Sequence, residues 1–441
     1  MTAPRIRVLA AAYAPVPGSN PHSACLLAMI DALRAELDLV TVKTEDLAHV
    51  KRIGEARMFR VPVGGGDARE LYARAVGRQV HAEPYDVVHV LDPWAGAAIA
   101  EHRPDSILIY EAVTYPDDEG DDAWRLAHAR TLAEADLVLV PTAAAAAAIE
   151  LEGVGARVEV VRPSVDVGTY DWVEVPSVGT PRILYLGGFG AARDLATAVE
   201  AIGRVAALRP VRALMAGEPD RNRQRALRDI VRAAGLEEVI EVRGEPSARS
   251  VPGLIASADV CLAPGRETHP GGPLPHPLFE YLSCYRPVVA ANVAGVSELI
   301  RDESEGLLYP AGNASAMADA ILEVLRDAAL RERLMEAGYL RTRSELGSGA
   351  RRRRLQEIYE VLAPGSQLVD PWRERFEDTT GTLELPVSPT ESVTQSVIEA
   401  TEPPPARLSQ PAGPLVRRLS EPPRDTQPGL VVPDTDPGVA D

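Results

Sequence analysis

One stretch constrains the fold more than any other. Residues 258–298 begin with a short apolar run at 260–263 and continue through a loop rich in Gly, Pro and His. A helical segment at 278–284 follows, then a second apolar run at 287–291 and a turn at Gly295. Apolar runs of this length, bounded by turn residues, read as fully buried strands. Two such strands joined through a helix form a parallel crossover, which in one sheet is right-handed and needs helices covering both faces. In an open parallel sheet, ligands bind beyond the carboxyl ends of the strands, where the loop 264–277 would lie. Gly271 and Gly272 permit close backbone approach to a ligand, and the segment from Leu278 presents a helix start to an anion. An ordinary crossover whose glycines only make the turn fits the same local pattern.

The same grammar recurs along the chain. Strand-like runs fall at 6–12, 39–42, 58–61, 86–90, 107–110, 135–142 and 158–161, with helical spacing at 23–37, 69–81, 123–135 and 143–151. After a Pro-, Gly- and Ser-rich segment at 170–181 the alternation resumes. It gives strands at 183–186, 211–216, 239–242, 260–263, 287–291 and 306–309, and helices at 222–234, 251–256, 278–284, 314–325 and 330–354. Alternating strands and helices on either side of a linker predict an α/β chain of two nucleotide-fold domains. The expected boundaries are 1–168, a linker at 169–181, 182–345, a helix at 346–362 and a tail at 363–441. Fourteen of the 38 prolines fall in that tail among Ser, Thr, Glu and Asp, a composition that predicts disorder.

Charge excludes one class of partner. A net charge of −18 gives no basic field for a nucleic acid, although it leaves room for a local pocket for one small anion. Lys occurs only at Lys43 and Lys51, so a cation for phosphate beyond residue 51 must be Arg. The three cysteines, Cys25, Cys261 and Cys284, form no C-x-x-C pair and suit a reducing, cytoplasmic setting. No secretory signal and no membrane-spanning run is legible, which leaves a peripheral membrane contact open. The basic run at 351–354 is read as a charged helix face.

The segment FEYLSCYRPVVAANVAGVSELI resembles the donor-binding signature of GT-B glycosyltransferases of family 4, with Phe279, Glu280, Pro287, Val288, Val289, Gly295, Glu298, Leu299 and Ile300 in register. Residues 183–201 resemble that family's strand, G-R-x-x-x-x-K-G, helix pattern, with Gly187 in place, Gly188 for Arg, Arg193 for Lys and Asp194 for Gly. The turn Gly217–Glu218 and the strand end at Arg243 follow the same layout. The resemblance implies a GT-B fold, two Rossmann-like domains facing a cleft, with the donor on the second domain, the acceptor on the first, and the last helix returning to the first. It assigns Arg193 to the donor diphosphate, and Gly18, Gly187, Gly188, Gly217, Arg243, Gly271, Gly272, Pro273 and Leu274 to the donor's phosphates, base and sugar. Glu280 would accept hydrogen bonds from the ribose diol, as a carboxylate can from two hydroxyls. Arg193, Glu267 and His269 are the expected catalytic residues, and His276 is a further candidate for a polar role at the sugar.

Three departures stand out: Gly188 for Arg, Gly272 where the first Glu of a Glu-x7-Glu pair is expected, and Val113 where relatives place a His. His89 is read as a packed strand residue. The expected activity is transfer of a sugar from a nucleotide sugar to an acceptor hydroxyl, with retention of configuration, in glycan or glycoconjugate assembly. The expected acceptor is a sugar, a lipid-linked molecule or a small molecule, with the three left open. No metal or organic cofactor is expected. The alternative is a degenerate relative that binds a nucleotide sugar or a partner without turnover. A nicotinamide-dependent oxidoreductase is disfavoured, because G-x-G-x-x-G is absent.

Overall fold

The structure, a computed structural model, describes residues 6–18, 20–33, 35–45, 47–64, 67–100, 105–113, 122–171, 179–266 and 274–362. The expected disordered tail and the middle of the expected linker lie outside these residues. Among them the strands form two sheets, of eight and six strands. The first half runs β1 (Arg7–Pro15), α1 (Pro21–Ala32), β2 (Glu36–Lys43), β3 (Val50–Ile53), β4 (Ala56–Pro62), α2 (Ala68–Ala82), β5 (Val87–Val90) and α3 (Pro93–Ala100). It continues with β6 (Ile107–Glu111), α4 (Asp122–Glu134), β7 (Leu137–Val140), α5 (Ala143–Leu151) and β8 (Arg157–Val160). Strand order is β3-β4-β2-β1-β5-β6-β7-β8, parallel except for β3.

The second half runs β9 (Arg182–Leu186), α6 (Leu195–Leu208), β10 (Arg212–Ala216), α7 (Arg221–Ala233), β11 (Ile240–Val242), α8 (Val251–Ala256), β12 (Val260–Ala263) and α9 (Pro277–Ser283). Then come β13 (Val288–Asn292), α10 (Ala294–Ser297), β14 (Leu307–Pro310), α11 (Ala314–Arg326), α12 (Ala328–Arg341) and α13 (Ser348–Leu362). Its parallel order is β11-β10-β9-β12-β13-β14. Strand order reverses beside β1 in one sheet and beside β9 in the other, so each sheet has a topological switch point of the kind that binds ligands.

Both faces of each sheet are covered. Val8, Ala10 and Ala12 of β1 face Leu26 and Met29 of α1, while Leu9 and Ala11 face Tyr72 and Val76 of α2. In β9, Ile183 and Tyr185 join Val199 and Ile202 of α6, and Leu184 and Leu186 join Leu278, Phe279 and Leu282 of α9. Each such fully buried Leu or Met contributes about 1.5–3 kcal/mol. The last helix, α13, follows the second half in sequence, yet its Leu355, Ile358 and Tyr359 complete the core of the first sheet.

Two expected helices are corrected. The pattern at 23–37 ends as α1 at Ala32, and residues from Glu36 pair with β1 instead. Leu33 and Leu37 satisfy helical spacing and strand alternation equally, and the open edge of β1 decides. The helix expected over 330–354 breaks at 342–347, where a π turn leads into Gly347. Val165 N–H donates to Leu346 C=O at 3.1 Å, and Ser348 N–H donates to Val165 C=O at 3.0 Å. Those bonds draw the backbone out of its own helix. Among the described residues no helix is long and apolar enough to cross a membrane.

Candidate active site

A cavity of about 340 Å³ lies between the carboxyl ends of the two sheets. One wall comes from the second half: Gly187, Gly188 and Arg193 after β9, Gly217 after β10, and Leu274, His276 and Glu280 at the start of α9. The facing wall comes from α1, the end of β6 and α13, with Cys25, Glu111, Val113 and Arg351.

The glycine loops are held by a buried carboxylate. Glu218 accepts from Phe189 N–H at 2.7 Å and from Asp220 N–H at 2.9 Å, tying the loop after β9 to the loop after β10. Gly187 (φ 143°) and Gly217 (φ 122°) adopt conformations that L-residues avoid. They also press together, since a Cβ on Gly217 would stand 2.6 Å from Gly187 N. Next comes a single 3-10 turn, Ala191–Arg193, and then Asp194 in the left-handed region at φ 47°. Asp tolerates this conformation better than most residues. The buried Asp194 carboxylate pairs with Arg266, which donates from Nε at 2.9 Å and Nη2 at 2.8 Å. The bend turns Arg193 into the cavity wall immediately before α6.

Glu280 sits in the first turn of α9, where burial pushes its carboxyl up to about 7. The hydroxyl of Tyr170, also in the cavity wall, donates to it and opposes that rise. His276 is pushed down to about 4 by burial and then by the nearby Arg351 and His22 charges, so it is neutral at pH 7.

On the facing wall, Glu111 is buried at the end of β6 and accepts from Arg351 of α13 and, at 3.2 Å, from His89. Burial would raise its carboxyl, but Arg351 and His89 together hold it down at about 2. His89 is fully buried, and its other ring nitrogen lies 3.0 Å from the Tyr359 hydroxyl. Burial pushes the Cys25 thiol up to about 12. This wall is therefore a neutralised ion pair among apolar groups, with Val113 at the rim.

The cavity gathers Gly187, Gly188, Arg193, Gly217, Leu274 and Glu280. Gly18 is outside its lining and donates from its N–H to Ser23 Oγ at 2.9 Å. The Arg243 side chain is also outside the lining, with Nε donating to Glu241 at 2.5 Å. Glu267, His269, Gly271, Gly272 and Pro273 lie outside the described residues. The Arg run at 351–354 is not one charged face as expected, because Arg351 is 4% exposed and paired with Glu111. Sequence reasoning passed over Glu111, Tyr170 and Arg351. The available signal was a lone Glu closing an otherwise apolar strand.

Two α/β halves facing a cleft, with glycine loops, an Arg and a helix-borne Glu together on one wall, have the architecture of the GT-B class. Residues 180–327 match the family described as glycosyl transferases group 1, and residues 18–164 match the glycosyl transferase 4-like domain. The chain is 29% identical over 161 residues to the alpha-D-kanosaminyltransferase of Streptomyces kanamyceticus, covering 35% of this chain and 39% of that protein. It is 26% identical over 314 residues to the phosphatidyl-myo-inositol mannosyltransferase of Mycobacterium leprae, covering 65% and 77%. Among solved structures, sucrose-phosphate synthase from Thermosynechococcus elongatus superposes with a TM-score of 0.71 at 19% identity, over 81% of this chain and 99% of that one. HepE from Anabaena, solved with UDP-glucose, superposes with a TM-score of 0.66 at 16% identity, over 81% of this chain and all of that one. The chain belongs to the GT-B glycosyltransferases of the family 4 kind.

Proposed function

We propose that the chain transfers a hexose from a nucleoside-diphosphate sugar to an acceptor hydroxyl, with retention of configuration at the anomeric carbon. The carrying observation is the position of Arg193 and Glu280 on one wall of a cavity at the switch point of the second sheet. In this reading Arg193 and the N–H groups of the loops after β9 and β10 meet the diphosphate, whose negative charge grows as the sugar leaves. Glu280 accepts from the ribose hydroxyls. The bond from the anomeric carbon to the phosphate oxygen breaks, a bond to the acceptor oxygen forms on the same face, and the acceptor proton passes to the departing phosphate. No strong protein base is required, which suits a facing wall whose one buried carboxylate is committed to Arg351 and His89. The named activities of the kanosaminyl- and mannosyltransferase relatives support a hexosyl donor, and the UDP-glucose complex of HepE makes UDP-sugars the first to try.

The test is incubation with UDP-, GDP- and ADP-hexoses and a panel of sugar and lipid-linked acceptors, following sugar release and the anomeric proton resonance of the product. Transfer with an axial-to-axial or equatorial-to-equatorial outcome is expected. Arg193→Ala should cost about 2–4 kcal/mol in kcat/KM, the scale of removing one fixed donor to a developing anion. Unchanged donor binding and turnover in that variant would remove Arg193 from the site. One observation favours a second reading, a nucleotide-sugar binder without turnover: Val113 places an apolar group on the acceptor wall. Stabilisation by a nucleotide with no sugar release from any donor would select it.

A further inference from the structure

The connection leaving the first sheet reaches into the cavity of the second. Tyr170 lies on that connection, and its N–H donates to Asp166 C=O at 2.9 Å. Its own C=O accepts from the Ser283 hydroxyl at the end of α9, so its backbone is tied to the helix that carries Glu280. Its side chain lines the cavity together with that of Glu280, and its hydroxyl is the hydrogen-bonding group that works against the raised Glu280 carboxyl. We propose that Tyr170 is a positioning residue for Glu280, aiming its carboxylate into the cavity and keeping it an acceptor for both ribose hydroxyls of a nucleoside diphosphate. The inference rests on the donor-site reading above and adds a residue to it.

Two opposing effects act on the Glu280 carboxyl. A ribose diol needs an ionised carboxylate, because a protonated one offers a donor where an acceptor is wanted. Burial favours the neutral acid at Glu280 and carries its midpoint to about 7. A hydrogen bond donated to the ionised form works against this, and Tyr170 supplies it. The neighbouring groups on α9 do not titrate in this range, since burial raises Tyr281 far above its usual value and pushes Cys284 up to about 12. On the same wall, burial pushes His276 down to about 4, so it stays neutral over the range tested and does not change the balance. A carboxylate accepts at several lone-pair sites, so Tyr170 and a diol can share it.

The full chain is titrated calorimetrically with UDP, GDP and ADP from about pH 5.5 to about pH 9, a window that brackets the Glu280 midpoint. Affinity of the wild type should rise with pH through that midpoint. Tyr170→Phe should displace the curve to higher pH, giving about tenfold weaker binding on the acid side and convergence on the alkaline side. Glu280→Gln should flatten the pH dependence. Weakening by the same factor at every pH, or no change, overturns the proposal. A ligand-free readout accompanies it: the Glu280 carboxyl carbon resonance, assigned by its loss in Glu280→Gln, must titrate at higher pH in Tyr170→Phe. If it does not move, the proposal fails whatever binds. If it moves while no nucleotide binds the wild type, the donor-site reading fails and the coupling of Tyr170 to Glu280 stands.

Discussion

Glu111 and Glu280 face one cavity and titrate in opposite directions. Glu111 is held down by Arg351 and His89, whereas Glu280 is lifted by burial. Their effects on stability therefore have opposite signs. Glu111, ionised in the folded chain well below the unfolded value of 4.5, adds stability that is complete above that value and lost as pH falls toward 2. Glu280, neutral in the folded chain up to about 7, withdraws stability as pH rises from 4.5 through 7. Denaturant unfolding followed across pH should show Glu111→Gln losing the acid limb and about 3–5 kcal/mol at neutral pH, because a buried Arg351 would be left without its partner. Glu280→Gln should gain stability at alkaline pH and match the wild type in acid. Glu280 was legible because it sits in a local motif. Glu111 and Arg351 were not, because what defines them is a contact between residues 240 positions apart.

At the scale of elements, the loops after β9 and β10 act as one unit bracketed by Glu218. A methyl group on Gly217 meets backbone rather than a movable side chain, and at a φ that disfavours it. Gly217→Ala should destabilise the chain by about 1–3 kcal/mol in chemical denaturation and abolish nucleotide binding. A variant of wild-type stability and affinity would show that the two loops move independently. The strand-and-helix alternation carried this region of the fold, since fully buried parallel strands announce themselves as apolar runs. It failed where two periods overlap, at residues 33–37, and where the distant Val165, on the connection after β8, pairs with the backbone at 346–348. It also passed over α3, which Asp92 caps by accepting from Ala95 N–H at 2.9 Å. An apolar helix of small residues carries almost no amphipathic signal.

At the scale of the whole molecule, one bond pair spans the cleft at its rim. The Glu298 carboxylate accepts from Ala143 N–H and Ala144 N–H, each at 2.7 Å, so a residue of the second half caps α5 of the first. The sequence places Glu298 within the donor-type signature, but it is not part of the cavity lining. Removing a helix cap costs about 0.5–2 kcal/mol. Here that cost falls on contact between the halves, so Glu298→Ala should enlarge the radius of gyration of the nucleotide-free chain in small-angle scattering. An unchanged radius would mean that the other contacts between the halves, among them Val165 with residues 346–348, hold them together without it.

The return of α13 has a consequence for how the chain is made. Nascent domains generally fold in the order in which they are synthesised. The first domain cannot finish this way, because Leu355, Ile358 and Tyr359 of its core and the partner of Glu111 are translated after the whole second half. Until then the emerging half carries an open apolar groove along β1 and α1 and a buried-site carboxylate without its cation. The second half has every strand of its sheet in hand before α13 is made. On the ribosome, the order of completion is therefore the reverse of the order in the gene.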